Sequence, residues 1–418
     1  MTVFQGVGVL FTLVAIFGYL NHRFVRLPDT LGITAVGLLV SAVVAGIATL
    51  FPDVHLARKA QELASQIDFT DVVFHGLLSL LLFAGALHVD LGKLREHRLP
   101  VFLLATVGVL ISTAVVGLGF YYVAQAFGFN ISLLWCLAFG ALISPTDPIA
   151  VLAVLKNAGA SPAVEAKITG ESLFNDGTAV VAFLTLVGLA SGTAELSASS
   201  IASALAREVI GALVVGLAVG YGASFLLRDL DSYGIEILIT LAMATAGYSL
   251  AELLHVSAPL AVVIMGLVLG NHGVAKHMSE KTREHLDNFW HLLDELLNLV
   301  LFGLIGLEVI ALAFHWSDIW LGIAAVPVVL VARLASVGIP LAALRNFRQS
   351  SPHAVKIMTW GGLRGGISIA LALSLPAFEG RDMVIGVTYV VVIFSLLVQA
   401  TTLGELVRRC NAAGPQPG

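Results

Sequence analysis

Charged residues are scarce in this sequence. Aspartate, glutamate, lysine and arginine make up 12% of the 418 residues, and 58% of the residues are hydrophobic, whereas soluble proteins carry about 25% charged residues. So little charge cannot cover a water-exposed surface, and the mean hydropathy is +0.95, so most of the chain must face lipid. The same composition excludes a disordered chain and a nucleic-acid-binding protein.

Cysteines and catalytic motifs are nearly absent as well. The two cysteines, Cys136 and Cys410, are too few for a disulfide framework. The sequence contains no HExxH motif, no paired cysteine and histidine cluster and no Walker loop. We therefore predict that the protein is not an enzyme and holds no cofactor.

Long apolar runs fill the sequence instead. A membrane-spanning helix needs about 20 mostly apolar residues, and thirteen segments qualify. Strand-like alternation is absent, so the sequence predicts an all-α polytopic membrane protein and not a β-barrel. The first segment lacks the basic flank and cleavage site of a signal peptide, so we expect it to be retained. The predicted segments are residues 3–20, 28–50, 69–91, 100–125, 131–155, 163–190, 199–227, 234–253, 257–271, 284–313, 318–344, 353–376 and 383–407.

The basic residues are distributed unevenly between the loops. Sixteen of the 22 lysines and arginines lie in one set of alternate loops, and three, Arg58, Lys59 and Arg381, lie in the other. By the positive-inside rule the richer set is cytoplasmic, which predicts an external N-terminus and a cytoplasmic C-terminus. No loop is long enough for a second domain. We therefore expect one transmembrane unit at 1–409 and a short cytoplasmic tail at 410–418.

The two halves of the chain resemble each other. Residues 77–83 read LLSLLLF and residues 296–302 read LLNLVLF, an offset of 219. The same offset places residues 144–148 on residues 363–367, and both of these stretches interrupt an apolar helix with residues that helices disfavour. Helices 5 and 12 are therefore predicted to be broken at matching positions.

This similarity predicts two inverted six-helix repeats, 1–190 and 234–407, with a connector helix at 199–227. Inverted repeats with broken helices are typical of secondary transporters, and the freed backbone groups must line a cavity. In the connector, Gly216 and Gly220 begin a stripe of small residues that lets helices approach closely. We predict that this stripe lies at a dimer or domain boundary, and contact within one subunit is the alternative.

The break in helix 5 carries the first candidate ion ligands. Pro145 and Pro148 flank Thr146 and Asp147, and proline disfavours helix at its own position and at the preceding residue. Asp147 can neutralise the positive N-terminal end of a half-helix. A role as a cap and a role near the ion are compatible, and both stay open.

The sixth segment carries two acids and an amide in the middle of an apolar helix. An aspartate at the centre of a membrane helix costs about 2.5–3.5 kcal/mol, so such residues are expected to be functional. Ser172 and Asp176 are four residues apart and share a face, and Glu171 and Asn175 share the adjacent face. A buried network that only holds helices together is the alternative, chiefly for Glu171.

Arg364 lies in the twelfth segment and needs a carboxylate partner in the membrane, for which Glu171 and Asp147 are the candidates. We expect its role to be structural. His75 and His88 lie in the third segment and are interpreted as packing residues, not as a proton relay.

Asp176, Ser172, Thr146 and Asp147 together form an oxygen-only set. Such a set suits a hard cation and does not suit zinc or copper.

Three motifs together resemble one transporter family. The Thr146-Asp147-Pro148 break, the ESLFND sequence at 171–176 and the GLRGG sequence at 362–366 are similar to those of the cation/proton antiporters, the NhaP-like proteins and eukaryotic sodium/proton exchangers. The similarity covers nearly the whole chain. It implies exchange of a monovalent cation, Na⁺ or Li⁺, for H⁺ by a homodimer in the lipid bilayer, with an elevator motion of a core domain.

The resemblance also assigns roles to individual residues. Asp176 is implied to be the essential ion-binding acid, with Ser172 and the Thr146 carbonyl as further Na⁺ ligands and Asp147 close by. Glu171 and Arg364 are implied to form a stabilising ion pair. Asn175, in place of a second aspartate, is the pattern associated with electroneutral one-for-one exchange.

Two departures from the family leave the cation open. Relatives often carry an acid near Ala84 or Ala86, and the long cytoplasmic tail of animal and plant relatives is missing, which favours a prokaryotic cell membrane. K⁺/H⁺ exchange on the same architecture is the nearest alternative. A cation channel is less compatible with paired helix breaks, and an intramembrane protease would need a nucleophile or metal motif.

Overall fold

The computed structural model describes residues 3–50, 72–193, 198–230, 232–273, 280–309, 316–344 and 353–412. Throughout these ranges the regular structure is helical, and each of the thirteen predicted segments contains a helix. The helices are α1 Val3–Leu20, α2 Asp29–Leu50, α3 Leu78–Leu87, α4 Arg98–Ala126, α5a Leu133–Leu142, α5b Pro148–Ala158, α6 Pro162–Ala190, α7 Ala198–Leu226, α8 Tyr233–Leu253, α9 Ala258–Val268, α10 Glu280–Glu308, α11 Trp316–Ala343, α12a Ala354–Trp360, α12b Gly366–Leu373 and α13 Arg381–Ala412.

The lengths of these helices fit a membrane. Nine helices in the described ranges are long and apolar enough to cross a bilayer, and α3, α5a and α9 are shorter apolar helices. Helices 5 and 12 are broken, at 143–147 and 361–365. The predicted all-α polytopic fold with two broken helices is confirmed, and the inverted relation of the repeats stays a prediction.

Small residues set the closest helix crossings. Where α2 meets α10, a Cβ on Gly37 would lie 3.1 Å from the Cα of Gly306. The hydroxyl of Thr34 donates to the carbonyl of Phe302 at 3.1 Å, and that of Ser41 donates to the carbonyl of Gly306 at 2.7 Å. Without a hydrophobic driving force in lipid, such close packing and hydrogen bonding hold helices together.

The small-residue stripe of α7 is used within the chain. A Cβ on Gly216 would lie 2.7 Å from the Cβ of Ile264, and one on Gly220 would lie 3.0 Å from the Cβ of Val268. Both neighbours belong to α9. These contacts agree with the alternative of contact within one subunit for Gly216 and Gly220, and a position of the stripe at a domain boundary stays a prediction.

Helix α6 lies where two buried hydrophobic clusters meet. Leu173 belongs to a cluster that includes residues of α3, α8 and α9, whereas Ile168 and Phe183 belong to a cluster that includes residues of α4, α5a and α13. The polar residues of α6 are therefore held between two packed groups of helices.

Two predicted features fall partly or wholly outside the described residues. The loop with Arg58 and Lys59 lies outside them, as do residues 413–418 of the predicted tail. Residues 410–412 are the end of α13, so the helix runs two residues beyond Cys410.

Candidate functional site

The two helix breaks cross each other. The backbone amide of Asp147 donates to the carbonyl of Leu363 at 2.8 Å, which joins one break to the other. A Cβ on Gly365 would lie 2.7 Å from Oδ2 of Asp147, so only glycine allows this approach. Asp147 therefore sits at the N-terminal ends of both α5b and α12b, where the helix dipoles favour a negative charge.

Arg364 binds the backbone that the first break frees. Its Nη1 donates to the carbonyls of Ser144 and Pro145, the latter at 3.0 Å. Its own amide donates to Oγ of Ser395 at 2.9 Å. The guanidinium therefore neutralises the carbonyl end of α5a, and the expected structural role is carried out by different contacts from those predicted.

Glu171 takes a different ion-pair partner from the predicted one. Both of its carboxylate oxygens accept from Arg333 of α11, Oε1 from Nη1 and Oε2 from Nη2 at 3.1 Å. The Nε of Arg333 donates to the carbonyl of Met358 at 3.2 Å. The predicted Glu171–Arg364 pair is corrected to Glu171–Arg333, because α11 presents its arginine to α6 while Arg364 is occupied at the helix break.

The sequence carries a signal for Arg333 as well. Arg333 lies within the eleventh predicted segment, and the rule that an intramembrane charge needs a partner applies to it as it does to Arg364. Gly362 packs so closely that a Cβ there would lie 2.3 Å from Nε of Arg333. The glycines of the second break thus make room for the arginine of α11 as well as for the crossing.

The predicted ion ligands of α5 and α6 come together in one polar cluster. The hydroxyls of Thr146 and Ser172 are 2.9 Å apart and hydrogen-bonded, and Nδ2 of Asn175 donates to Oγ1 of Thr146 at 2.8 Å. All three side chains are buried. Asn175 therefore anchors α6 to the helix break, a contact that the sequence did not indicate.

Of the two acids in the middle of α6, Asp176 has no ion pair within the described ranges. It is 5% exposed, and its Oδ1 is buried without a hydrogen-bond partner among the described residues. Asp147 is close enough for the two carboxylate charges to repel. Such an arrangement disfavours two bare negative charges and favours a bound cation or proton.

A cavity of about 470 Å³ reaches these groups from one side. Thr146, Asp147, Ser172 and Asp176 line it, as do Lys156 near the end of α5b and Pro162 at the start of α6. The cavity is large enough for water and a hydrated cation, since a water molecule occupies about 30 Å³ in the liquid. Residues of α5, α6 and α12 therefore line one cavity, as the sequence predicted.

Further cavity residues were not predicted. Asp294 and Asn298 of α10 line the wall, as do His88 and His291. The Nδ1 of His88 is 2.8 Å from the carbonyl of Ala84. His88 is exposed, and its packing role stays a prediction. The side chain of His75 lies outside the described parts. Ala84 and Ala86 are buried, whereas Gly85 between them lines the cavity.

Comparison with known proteins identifies the family. The family described as "Sodium/hydrogen exchanger, transmembrane" matches residues 10–409. The chain is 46% identical over 413 residues to the Na⁺/H⁺ antiporter NhaP of Pseudomonas aeruginosa, covering 98% of this chain and 97% of that one. It is 33% identical to the Na⁺/H⁺ antiporter NhaH of Halobacillus aidingensis, covering 94% of each.

A solved structure shares the fold. The sodium proton antiporter MjNhaP1 of Methanocaldococcus jannaschii, determined at pH 8, aligns with a TM-score of 0.74 over 98% of this chain and 99% of that one, at 19% identity. The resemblance inferred from the three motifs is thereby confirmed. The chain belongs to the sodium/hydrogen exchanger family.

Proposed function

We propose that this chain exchanges Na⁺ for H⁺ across a membrane and that Asp176 carries either ion in turn. The observation that carries the proposal is the different surroundings of the two acids in the middle of α6: Glu171 is bound by Arg333, whereas Asp176 faces the cavity with a buried, unpartnered oxygen in the described structure. The names of the relatives, Na⁺/H⁺ antiporters, support the choice of ion.

The mechanism rests on competition at one carboxylate. Hard cations such as Na⁺ bind oxygen ligands, and Asp176, Ser172 and Thr146, which line the cavity, offer them. A proton occupies the same carboxylate oxygens, so protonation expels the cation and cation binding expels the proton. If the site changes sides only when Asp176 is neutralised by one or the other, every cation that crosses is matched by a proton in the opposite direction.

Alternating access is part of the proposal. The cavity reaches Asp176 from the side that carries Lys156 and Pro162, which the positive-inside rule makes cytoplasmic. On the other side of Asp176, Ala179 and Phe183 of α6 are buried. This one-sided access fits an inward-facing state, and an elevator displacement of the crossed helices would expose the site to the outside.

The assembly is proposed from the family resemblance. We infer a homodimer in a prokaryotic cell membrane, with the N-terminus outside. Because the α7 stripe is occupied by α9, the interface must use another surface. Native mass spectrometry of the detergent-solubilised protein measures the oligomeric state, and a monomer would remove this part of the proposal.

Measuring cation/proton exchange by the Asp176→Asn variant tests the proposed ion site. In proteoliposomes with an internal pH dye, the parent should respond to Na⁺ and Li⁺, and a larger response to K⁺ would favour K⁺/H⁺ exchange instead. Asp176→Asn should fold and insert yet show no cation-dependent proton flux, because an amide can neither release a proton nor balance a cation. Asp382→Asn removes the same charge from a side chain that is 91% exposed and serves as the control. Robust flux by Asp176→Asn would refute the assignment.

A membrane potential tests the stoichiometry. Glu171 is already neutralised by Arg333, and Asn175 cannot titrate. Asp147 lies at two helix N-termini that favour its charged form, so a single carboxylate alternates and exchange should be electroneutral. A potassium–valinomycin potential should leave the Na⁺ gradient at which proton flux stops unchanged. Each transported net charge would be worth about 2.3 kcal/mol per 100 mV, so a null point that moves with voltage would show that a second acid titrates.

A further inference from the structure

Asp294 and Asn298 of α10 form a second polar pair on the cavity wall. They are four residues apart and therefore share a face of the helix. Nδ2 of Asn298 donates to the backbone carbonyl of Asp294 at 2.7 Å and to its Oδ1 at 3.2 Å. Both residues line the same cavity as Asp176. The pair thus presents carboxylate and amide oxygens side by side.

The amide oxygen of Asn298 needs a partner. Asn298 is 2% exposed, and its Oδ1 accepts no hydrogen bond within the described part of the chain. A buried acceptor without a partner costs about 1–3 kcal/mol. Since both hydrogen bonds of Nδ2 fix the orientation of the amide, the oxygen stays available for a cation or for a water molecule bound to one.

The charge of the cavity wall favours a cation at this place. The carboxylates that line the cavity outnumber its lysine, Lys156, and its two histidines, His88 and His291; they are Asp90, Asp147, Glu165, Asp176 and Asp294. A cleft lined by one sign of charge raises the local concentration of the opposite ion. Helix α3 contributes no acid between Leu78 and Leu87, so the neighbouring α10 supplies the carboxylate of this part of the wall.

We propose that Asp294 and Asn298 form a second binding site for a monovalent cation, in the access cavity and separate from Asp176. The cation would be held by a carboxylate oxygen of Asp294, Oδ1 of Asn298 and water. This proposal rests on the proposed function, because it assumes that the transported cation passes through this cavity to reach Asp176. It would collect cations before they reach Asp176 and so lower the cation concentration that half-saturates exchange.

Cation binding to the purified protein tests the site without transport. The probe is radioactive Na⁺ in a scintillation proximity assay. Asp176→Asn should retain measurable binding, and the double variant Asp176→Asn/Asp294→Asn should lose it. Equal binding by the single and double variants would overturn the proposal. Because no exchange is measured, this result is independent of whether Asp176 carries the transported ion.

Transport kinetics provide the second readout. Asp294→Asn and Asn298→Leu should each raise the apparent KM for Na⁺ about ten-fold and leave the maximal rate within about two-fold. Glu295→Gln removes an adjacent, exposed carboxylate that does not line the cavity and should leave both values unchanged. Asp294→Glu keeps the charge and should stay close to the parent. A lower maximal rate at unchanged KM would assign the pair a purely structural role and refute the site.

Discussion

The Glu171–Arg333 pair gives the sharpest test of the structure. The two side chains are 2% and 7% exposed, and the guanidinium contacts both carboxylate oxygens. Removing one partner of such a buried pair leaves an unpaired charge and costs about 3–5 kcal/mol. Arg333→Met should therefore lower the free energy of unfolding by this amount, because it leaves the carboxylate of Glu171 buried without its counterion.

A double-mutant cycle separates the pair from its surroundings. Glu171→Gln and Arg333→Met are measured singly and together, by reversible unfolding with sodium dodecyl sulfate in mixed micelles. The double variant should be more stable than the sum of the single effects predicts, with a coupling energy of about 2 kcal/mol. The charge is then removed from both partners, and neither side chain is left ionised without its counterion.

The matched cycle uses Arg364, the partner expected from the sequence. Its Nη1 contacts the carbonyls of Ser144 and Pro145 and not the carboxylate of Glu171, so Glu171→Gln and Arg364→Met should show a smaller coupling energy than Glu171→Gln and Arg333→Met. A larger coupling with Arg364 than with Arg333 would refute the geometry described here and restore the pairing that the sequence suggested.

Two further predictions concern exchange itself. Gly365→Ala should slow exchange in proteoliposomes about ten-fold or more, because the new Cβ would lie 2.7 Å from Oδ2 of Asp147 and displace that carboxylate from the site. Gly222→Ala, where a Cβ meets nothing within 4 Å, is the control. Equal exchange rates for the two variants would show that Asp147 need not be held at this position. Lowering the pH on the side of the membrane to which Na⁺ is added should raise the apparent KM for Na⁺, because H⁺ and Na⁺ compete for Asp176. The increase should approach a limit of about ten-fold per pH unit. A KM that does not change with pH between about 6 and 8 would exclude competition at one carboxylate.

The sequence predicted the helices and both breaks because their causes are local. A lipid environment requires long apolar runs, and Pro145 and Pro148 interrupt such a run by their own covalent geometry. The sequence identifies Asp176 as a candidate ion ligand for a similar reason, since a carboxylate in the middle of a membrane helix is energetically costly and is therefore expected to be functional.

The ion-pair partner could not be predicted in this way. Glu171 lies on α6, Arg333 on α11 and Arg364 in the break between α12a and α12b. These segments are distant in sequence, and the pairing depends on how α11 and the break are placed against α6. Asp294 and Asn298 were missed for a different reason. The first half of α10 is rich in charge, so in the sequence its acids resemble the polar flank of a membrane helix. Only the structure shows that Asp294 and Asn298 lie on the cavity wall.

The two carboxylates in the middle of α6, those of Glu171 and Asp176, lie on different sides of the helix. Glu171 and Asp176 are five residues apart, which at 100° per residue places them about 140° apart around the helix axis. One side therefore meets Arg333, and the other meets the cavity. A spacing of four would have put both acids on the same face, where they would repel each other and titrate as a coupled pair. Under the proposed function, the spacing of five leaves Glu171 paired with Arg333 and leaves Asp176 to be neutralised by Na⁺ or H⁺, which is the arrangement that one-for-one exchange requires.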